Sequence, residues 1–200
     1  MPIARARPYR QRLRAAGAAA TARRIQDAAV ALFASQSYDQ VSLEAIATAA
    51  NVTVITVLRH FGSKDALFAA VAQEQVGRAW RAIGVASTAA PESAVAVLVL
   101  HYERYGGMIL RLLREAERSP AIQRGTAIGR AAHASWVEHT FQPALARFPP
   151  DERRLRQVAL LTVTSVETWA LLRHEQHLSR GATRAVLEHL VRAELEASLP

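Results

Sequence analysis

The sequence predicts an all-α chain, on three observations. Apolar residues recur at i, i+3, i+4 and i+7 in most long segments, the spacing of one helical face. The breaks between those segments carry helix punctuation: Ser or Thr before a run, Asn or Gly after one, Pro in a first turn. The one stretch with strand chemistry, Val52 to Val57, is β-branched throughout but has no second strand nearby to pair with. A lone strand leaves its backbone groups unbonded, so context assigns that stretch to a helix.

The elements follow in order. Residues 1–20 hold five arginines and no acid, and are expected to form a flexible basic arm. From Thr21, a suitable cap, Ile25, Ala28, Ala29, Leu32 and Phe33 form an amphipathic helix that ends near Gln36. Ser42 caps a short helix with Leu43, Ile46, Ala47 and Ala50 inward. Asn51 tolerates the left-handed conformation and suits a tight turn, after which Thr53 can cap a third helix. Its inner residues would be Val52, Val57 and Phe61; Val54, Ile55, Thr56, Leu58 and Arg59 would lie on the other side. Gly62 and Ser63 stop it, and a fourth helix begins near Lys64 with Leu67, Phe68, Val71 and Trp80 on one side. Pro91 opens a helix expected to stop at Gly106-Gly107; Met108 to Arg118 forms another, ended by Ser119-Pro120. A further helix lies within residues 121–148, with Pro143 as a kink or end. Pro149-Pro150-Asp151 starts a long one running to about Gln176, with Leu155, Val158, Leu161 or Thr162, Val166, Trp169 and Leu172 as its apolar stripe. Ser179 opens the last, with Val186, Leu187, Leu190, Val191 and Leu195.

Composition narrows the function classes. The 200 residues carry a formal charge of +8, and Lys64 is the one lysine. The excess is uneven: residues 1–64 hold nine basic side chains against three acids, which points to a polyanionic partner, nucleic acid before acidic lipid. There is no cysteine, hence no disulfide framework and no thiolate metal site. No apolar run approaches the roughly 20 residues of a membrane span, and the amino terminus lacks the apolar core of a signal peptide, so a soluble cytoplasmic protein without membrane contact is expected. Catalysis finds no support: a phosphate-binding Gly-rich loop, G-x-S-x-G and H-E-x-x-H are all missing. The pairs His174/His177 and His133/His139 come without carboxylates, so neither a metal site nor a cofactor is expected.

Helix, tight turn, helix with basic flanks is the helix-turn-helix arrangement, whose second helix enters the major groove. The wider string Thr21 to Val71, above all T-x-x-R-H-F-G-S-K-D-A-L from Thr56 to Leu67, resembles the DNA-binding domain of the TetR family of bacterial transcriptional regulators. The resemblance implies a helix-turn-helix domain over residues 21–66 and a helical-bundle domain for ligand binding and dimerisation over 67–200. It implies a dimer on an inverted-repeat operator in double-stranded DNA, acting as a repressor released by a small-molecule effector. The DNA-facing residues would be Thr53, Val54, Ile55, Thr56, Leu58, Arg59 and His60, with Lys64 on a phosphate and Arg12 and Arg14 as arm contacts. The pattern also departs from the family: Val54, Ile55 and Leu58 stand where a polar or basic residue, a small residue and a tyrosine are common. Valine and isoleucine donate no hydrogen bond but can pack on thymine methyls.

In the second domain, polar and aromatic residues interrupt apolar helices at His101, Tyr105, Trp136, Thr164, Thr168 and Trp169, the mixture of a small-molecule pocket. Their aromaticity favours an apolar or aromatic effector. The last two long helices would pair with those of a second subunit, Leu187 and Leu190 among the contacts. The alternatives are a DNA-binding regulator without a small effector and a basic helical interaction protein.

Overall fold

The computed structural model describes residues 6–86 and 91–196, with side chains for residues 14–83 and 93–196. The described residues are helical with no strand, as the periodicity predicts. None of their helices is long and apolar enough to cross a membrane. The chain divides into two compact units, residues 1–71 and 72–200.

The first unit contains α1 (Ala6–Ser35), α2 (Leu43–Ala49), α3 (Val54–Phe61) and the start of α4 (Lys64–Ala86). α1 begins well before Thr21, so the arm expected over residues 1–20 is helical from Ala6. The alanine-rich run Ala15–Ala20 has the propensity to carry a helix without a packed face. Thr21 is accordingly no cap: its hydroxyl donates back to the Gly17 carbonyl at 3.0 Å. α2 and α3 start as expected, on Ser42 and Thr53, whose hydroxyls accept from the Ala45 and Thr56 amides at 3.1 and 3.2 Å. Between them Asn51 takes the left-handed conformation (φ 51°), and Gly62 ends α3 at φ 79°. The core gathers Ile25, Ala29, Phe33, Val41, Ile46, Val57, Leu67 and Phe68. Phe33, Tyr38 and Phe68 form its aromatic centre, with ring centroids 5.0–5.8 Å apart. Because Leu67, Phe68 and Val71 close this core, the unit ends at Val71 rather than at residue 66.

The second unit holds the rest of α4, then α5 (Pro91–Ala116), α6 (Pro120–Leu145), α7 (Pro150–Val163), α8 (Val166–Ala170), a π-helical turn Leu171–Glu175, and α9 (Arg180–Glu196). α5 packs on α6, α8 and α9, and α7 on α6 and α9. Three sequence expectations are corrected. Gly106-Gly107 does not end a helix; both lie inside α5. Gly106 is there for proximity, since a Cβ on it would lie 2.4 Å from the Trp169 ring. The long helix after Pro149 breaks at Thr164-Ser165, where Ser165 caps α8 by accepting from the Thr168 amide at 3.2 Å. The Thr168 hydroxyl closes the break by donating to the Thr162 carbonyl at 2.7 Å. Finally, Leu155 and Val158 of the expected apolar stripe are 63 % and 55 % exposed, while Arg156 and Leu160 face inward.

Arg156 can be buried because every side of its guanidinium is occupied. It donates to Glu152 Oε1 at 2.6 and 3.0 Å, lies 3.9 Å over the Phe148 ring, and donates to the Glu194 carbonyl. Arg147 donates to the neighbouring Leu195 carbonyl. Two arginines thus satisfy carbonyls left over at the end of α9, where the helix dipole favours positive charge. Leu187, expected at a subunit interface, is 1 % exposed within its own unit, with Val191 and Leu195 beside it; Leu190 is half-buried.

Candidate nucleic-acid interface and aromatic cluster

α3 has one inner anchor, the buried Val57, with Val52 and Phe61 half-buried beside it. Its outer side is apolar at the centre and basic at the end: Ile55 is 77 % exposed, Leu58 39 %, and Arg59 is exposed. Arg59 makes no hydrogen bond or ion pair with other described residues, so its five donors are available. Val54, Thr56 and His60 are half-buried, His60 lying beside the Phe61 ring at 6.2 Å. Thr53 and Thr56 are joined hydroxyl to hydroxyl at 2.9 Å, which fixes the first turn and leaves them less free to reach outward.

Lys64 lies differently from a free phosphate ligand. Its ammonium donates to the Tyr38 and Val41 carbonyls, both at 3.1 Å, and lies 4.2 Å from the Tyr38 ring centre. An ammonium has three donors, so two are used to tie the α1–α2 connection to the start of α4. The Tyr38 hydroxyl donates to Asp65 in the same turn. Sequence reasoning missed this staple because its partners are carbonyls, which every residue has. Arg14 is exposed on α1, and Arg12 lies outside the described side chains.

In the second unit the structure brings together His101 (α5) and Trp136 (α6) around two residues that were not singled out for this site, Trp80 (α4) and His133 (α6). Trp80 lies 5.6 Å from His101, 5.5 Å from His133 and 5.6 Å from Trp136. Tyr105 adjoins His101 at 5.1 Å. Thr164 joins the cluster through His133, whose Nε2 is 2.9 Å from its Oγ1, while the Tyr102 hydroxyl donates to the Thr164 carbonyl at 2.9 Å. Trp169 stands at the far side of Tyr102, 5.9 Å away, with its Nε1–H donating to Glu103 at 3.2 Å. Arg173 grips the same carboxylate at 2.6 and 3.1 Å and holds it below the usual carboxylate range. Thr168 is spent on the helix break. Burial lowers both histidines to about 4, with His133 adding to the effect on His101 and Glu167 opposing it at His133. Both imidazoles are therefore neutral at pH 7. Burial raises the Tyr102 hydroxyl, which stays a donor.

A helix-turn-helix unit followed along the chain by a helical bundle is an arrangement that DNA-binding transcriptional regulators use. Residues 25–71 match the model of a family described as bacterial regulatory proteins, tetR family. Residues 25–71 thus form a TetR-family domain, and 89 % of the chain shares the fold of a solved regulator of that family. A candidate TetR-family transcriptional regulator from Mesorhizobium loti superposes with a TM-score of 0.64 at 22 % identity, covering 89 % of this chain and 96 % of that one. A TetR-family transcriptional regulator from Streptomyces coelicolor gives 0.64 at 20 % identity over 87 % and 79 %. The fatty acid degradation regulator FadR from Bacillus halodurans gives 0.61 at 17 % identity over 88 % and 95 %. No curated protein sequence matches the chain.

Proposed function

We propose that the protein is a dimeric, ligand-responsive repressor that binds an inverted repeat through α3. The observation that carries the reading is the outer side of α3. An isoleucine 77 % exposed, next to Leu58 and an arginine with no partner among the described residues, in the segment that matches the TetR family, is a surface kept for a partner. Arg59 is the side chain suited to a guanine edge, through its two-pronged geometry. Ile55, with Val54 at its side, packs on thymine methyls, and Leu58 lies against the sugar–phosphate edge. Thr53, Thr56 and His60 are placed for backbone contacts, and Arg14, with Arg12 before it, adds charge. Lys64 contributes its field and its third donor to a phosphate while holding α4 in place.

The dimer is formed by α7 and α9, with Leu155 and Val158 as the apolar contact, in place of Leu187. The effector, apolar or aromatic, occupies the cluster of Trp80, His101, His133 and Trp136. It acts by favouring a separation of the two α3 helices other than the one helical turn, about 34–36 Å, that two half-sites require. The test is a salt titration of binding to a genomic fragment library, followed by footprinting. An inverted-repeat footprint with affinity falling steeply in salt supports the reading; a single unrepeated half-site or absence of binding at low salt overturns it.

A further inference from the structure

The aromatic cluster carries an unfinished hydrogen-bond set, and that set specifies a ligand. The Thr164 hydroxyl has one proton, and it goes to the Leu160 carbonyl at 2.6 Å. At 2.9 Å from the same oxygen, His133 Nε2 must then be the donor. That fixes the neutral tautomer with its proton on Nε2, so His133 Nδ1 keeps a lone pair with no partner among the described residues. One helical turn along α6, Trp136 is 5 % exposed and its Nε1–H is fully buried with no acceptor among the described residues. The two rings are nearly parallel, 20° apart with centroids 6.0 Å from each other. His101, facing them across Trp80, makes no hydrogen bond to another described residue. A buried donor left unpaired is costly to keep unless a ligand pairs it, and the lone pair of His133 Nδ1, on a half-buried ring one helical turn away, is the acceptor at hand.

We propose that this cluster takes a planar, uncharged hydroxyaromatic molecule, its hydroxyl oxygen accepting from Trp136 Nε1–H and its proton going to His133 Nδ1. The proposal rests on the reading that the second unit binds an effector, and names that effector's chemistry. One hydroxyl satisfies both groups, while a flat ring meets the indole face of Trp80. A charged molecule is disfavoured because no fixed charge is paired to it there: both histidines are neutral, and Glu167, the acid that acts on His133, is exposed.

The test is isothermal titration calorimetry of the full chain with 2-naphthol, 2-methoxynaphthalene and 2-naphthoate. 2-Naphthol is expected to bind saturably at one site per chain, at least about tenfold tighter than the methoxy compound, which can accept but not donate. The naphthoate is expected to bind more weakly than 2-naphthol. Trp136→Phe should weaken 2-naphthol by about tenfold, and His133→Phe should close the gap between naphthol and its methyl ether. Equal binding of the ether, tighter binding of the naphthoate, or no saturable naphthol binding each overturns the proposal. The three-ligand comparison on the unsubstituted chain decides it even where a variant does not fold. DNA release is measured separately. Naphthol binding without release supports this site and counts against the repressor reading; intact DNA binding without naphthol binding overturns this site alone.

Discussion

Gly106 and Gly107 are adjacent residues of one helix with opposite surroundings, and alanine at each should move stability in opposite directions. In a helix interior, Gly→Ala is worth about 1 kcal/mol in favour of the folded state. At Gly107 nothing lies within 4 Å of the new Cβ, so that gain should appear undiminished. At Gly106 the Cβ would meet three ring atoms of Trp169 at 2.4, 2.7 and 3.0 Å. The ring has no easy retreat. It is 4 % exposed, its N–H is held by Glu103, and Tyr102 and His174 flank it at 5.9 and 5.1 Å. Overpacking of this kind costs about 1–3 kcal/mol, and a rigid, pinned indole places it in the upper part of that range. After the propensity gain, Gly106→Ala should be destabilising by about 1–2 kcal/mol and Gly107→Ala stabilising by up to about 1. All three tryptophans lie in residues 72–200, so tryptophan fluorescence during urea unfolding reports on the second unit by itself. A shift of 1 kcal/mol corresponds to about 2–4 °C in a thermal melt of a chain this size. Trp169→Phe in the Gly106→Ala background should restore part of the loss, a coupling that two independent sites would not show. Equal shifts of the same sign for the two alanines would refute the close-approach argument.

Other outcomes follow from the same geometry. Lys64→Met should lower the thermal stability of the chain as well as its DNA affinity, by about 1–2 kcal/mol for the lost carbonyl bonds; unchanged melting would show that the staple contributes nothing. Arg59→Ala should cost about 1–3 kcal/mol of operator binding and relax the preference at one position per half-site, read by binding to single-base variants of the operator. Uracil in place of a thymine facing Ile55 should cost less but measurably, and no change at either would assign α3's outer face to packing. Leu155→Glu with Val158→Glu should give a folded monomer in light scattering, since both side chains are exposed within the chain, and a persisting dimer would move the interface elsewhere. His101 and His133 have folded pKa values of about 4, below the ordinary 6.5. The unfolded chain therefore gains protons first, so stability is full above pH 6.5 and is lost as pH falls toward 4. At pH 5.5 the loss should be on the order of 1 kcal/mol per histidine, seen as a lower urea midpoint that His133→Gln partly removes.

Much of the fold was legible in the sequence because it rests on local chemistry. Ser42, Thr53, Asn51 and Gly62 set caps and turns through their own side chains or backbone freedom, and these stand where expected. The β-branched run Val52–Val57 becomes cap and helix because its ends are punctuated and no strand partner exists among the described residues. What the sequence left open depends on which distant group arrives opposite a residue. Helical spacing gives α7 two usable faces, and burying Arg156 and Leu160 instead of Leu155 and Val158 became favourable when α9 brought its terminal carbonyls to the guanidinium. The pair Gly106-Gly107 reads locally as a stop; only Trp169, arriving from another helix, makes Gly106 a place of contact. Lys64 reads as a free cation until the Tyr38 and Val41 carbonyls come within 3.1 Å. Local conformational preference is written residue by residue, whereas a partner's position is a property of the packed chain, and burial, hydrogen bonding and proton affinity all follow that position.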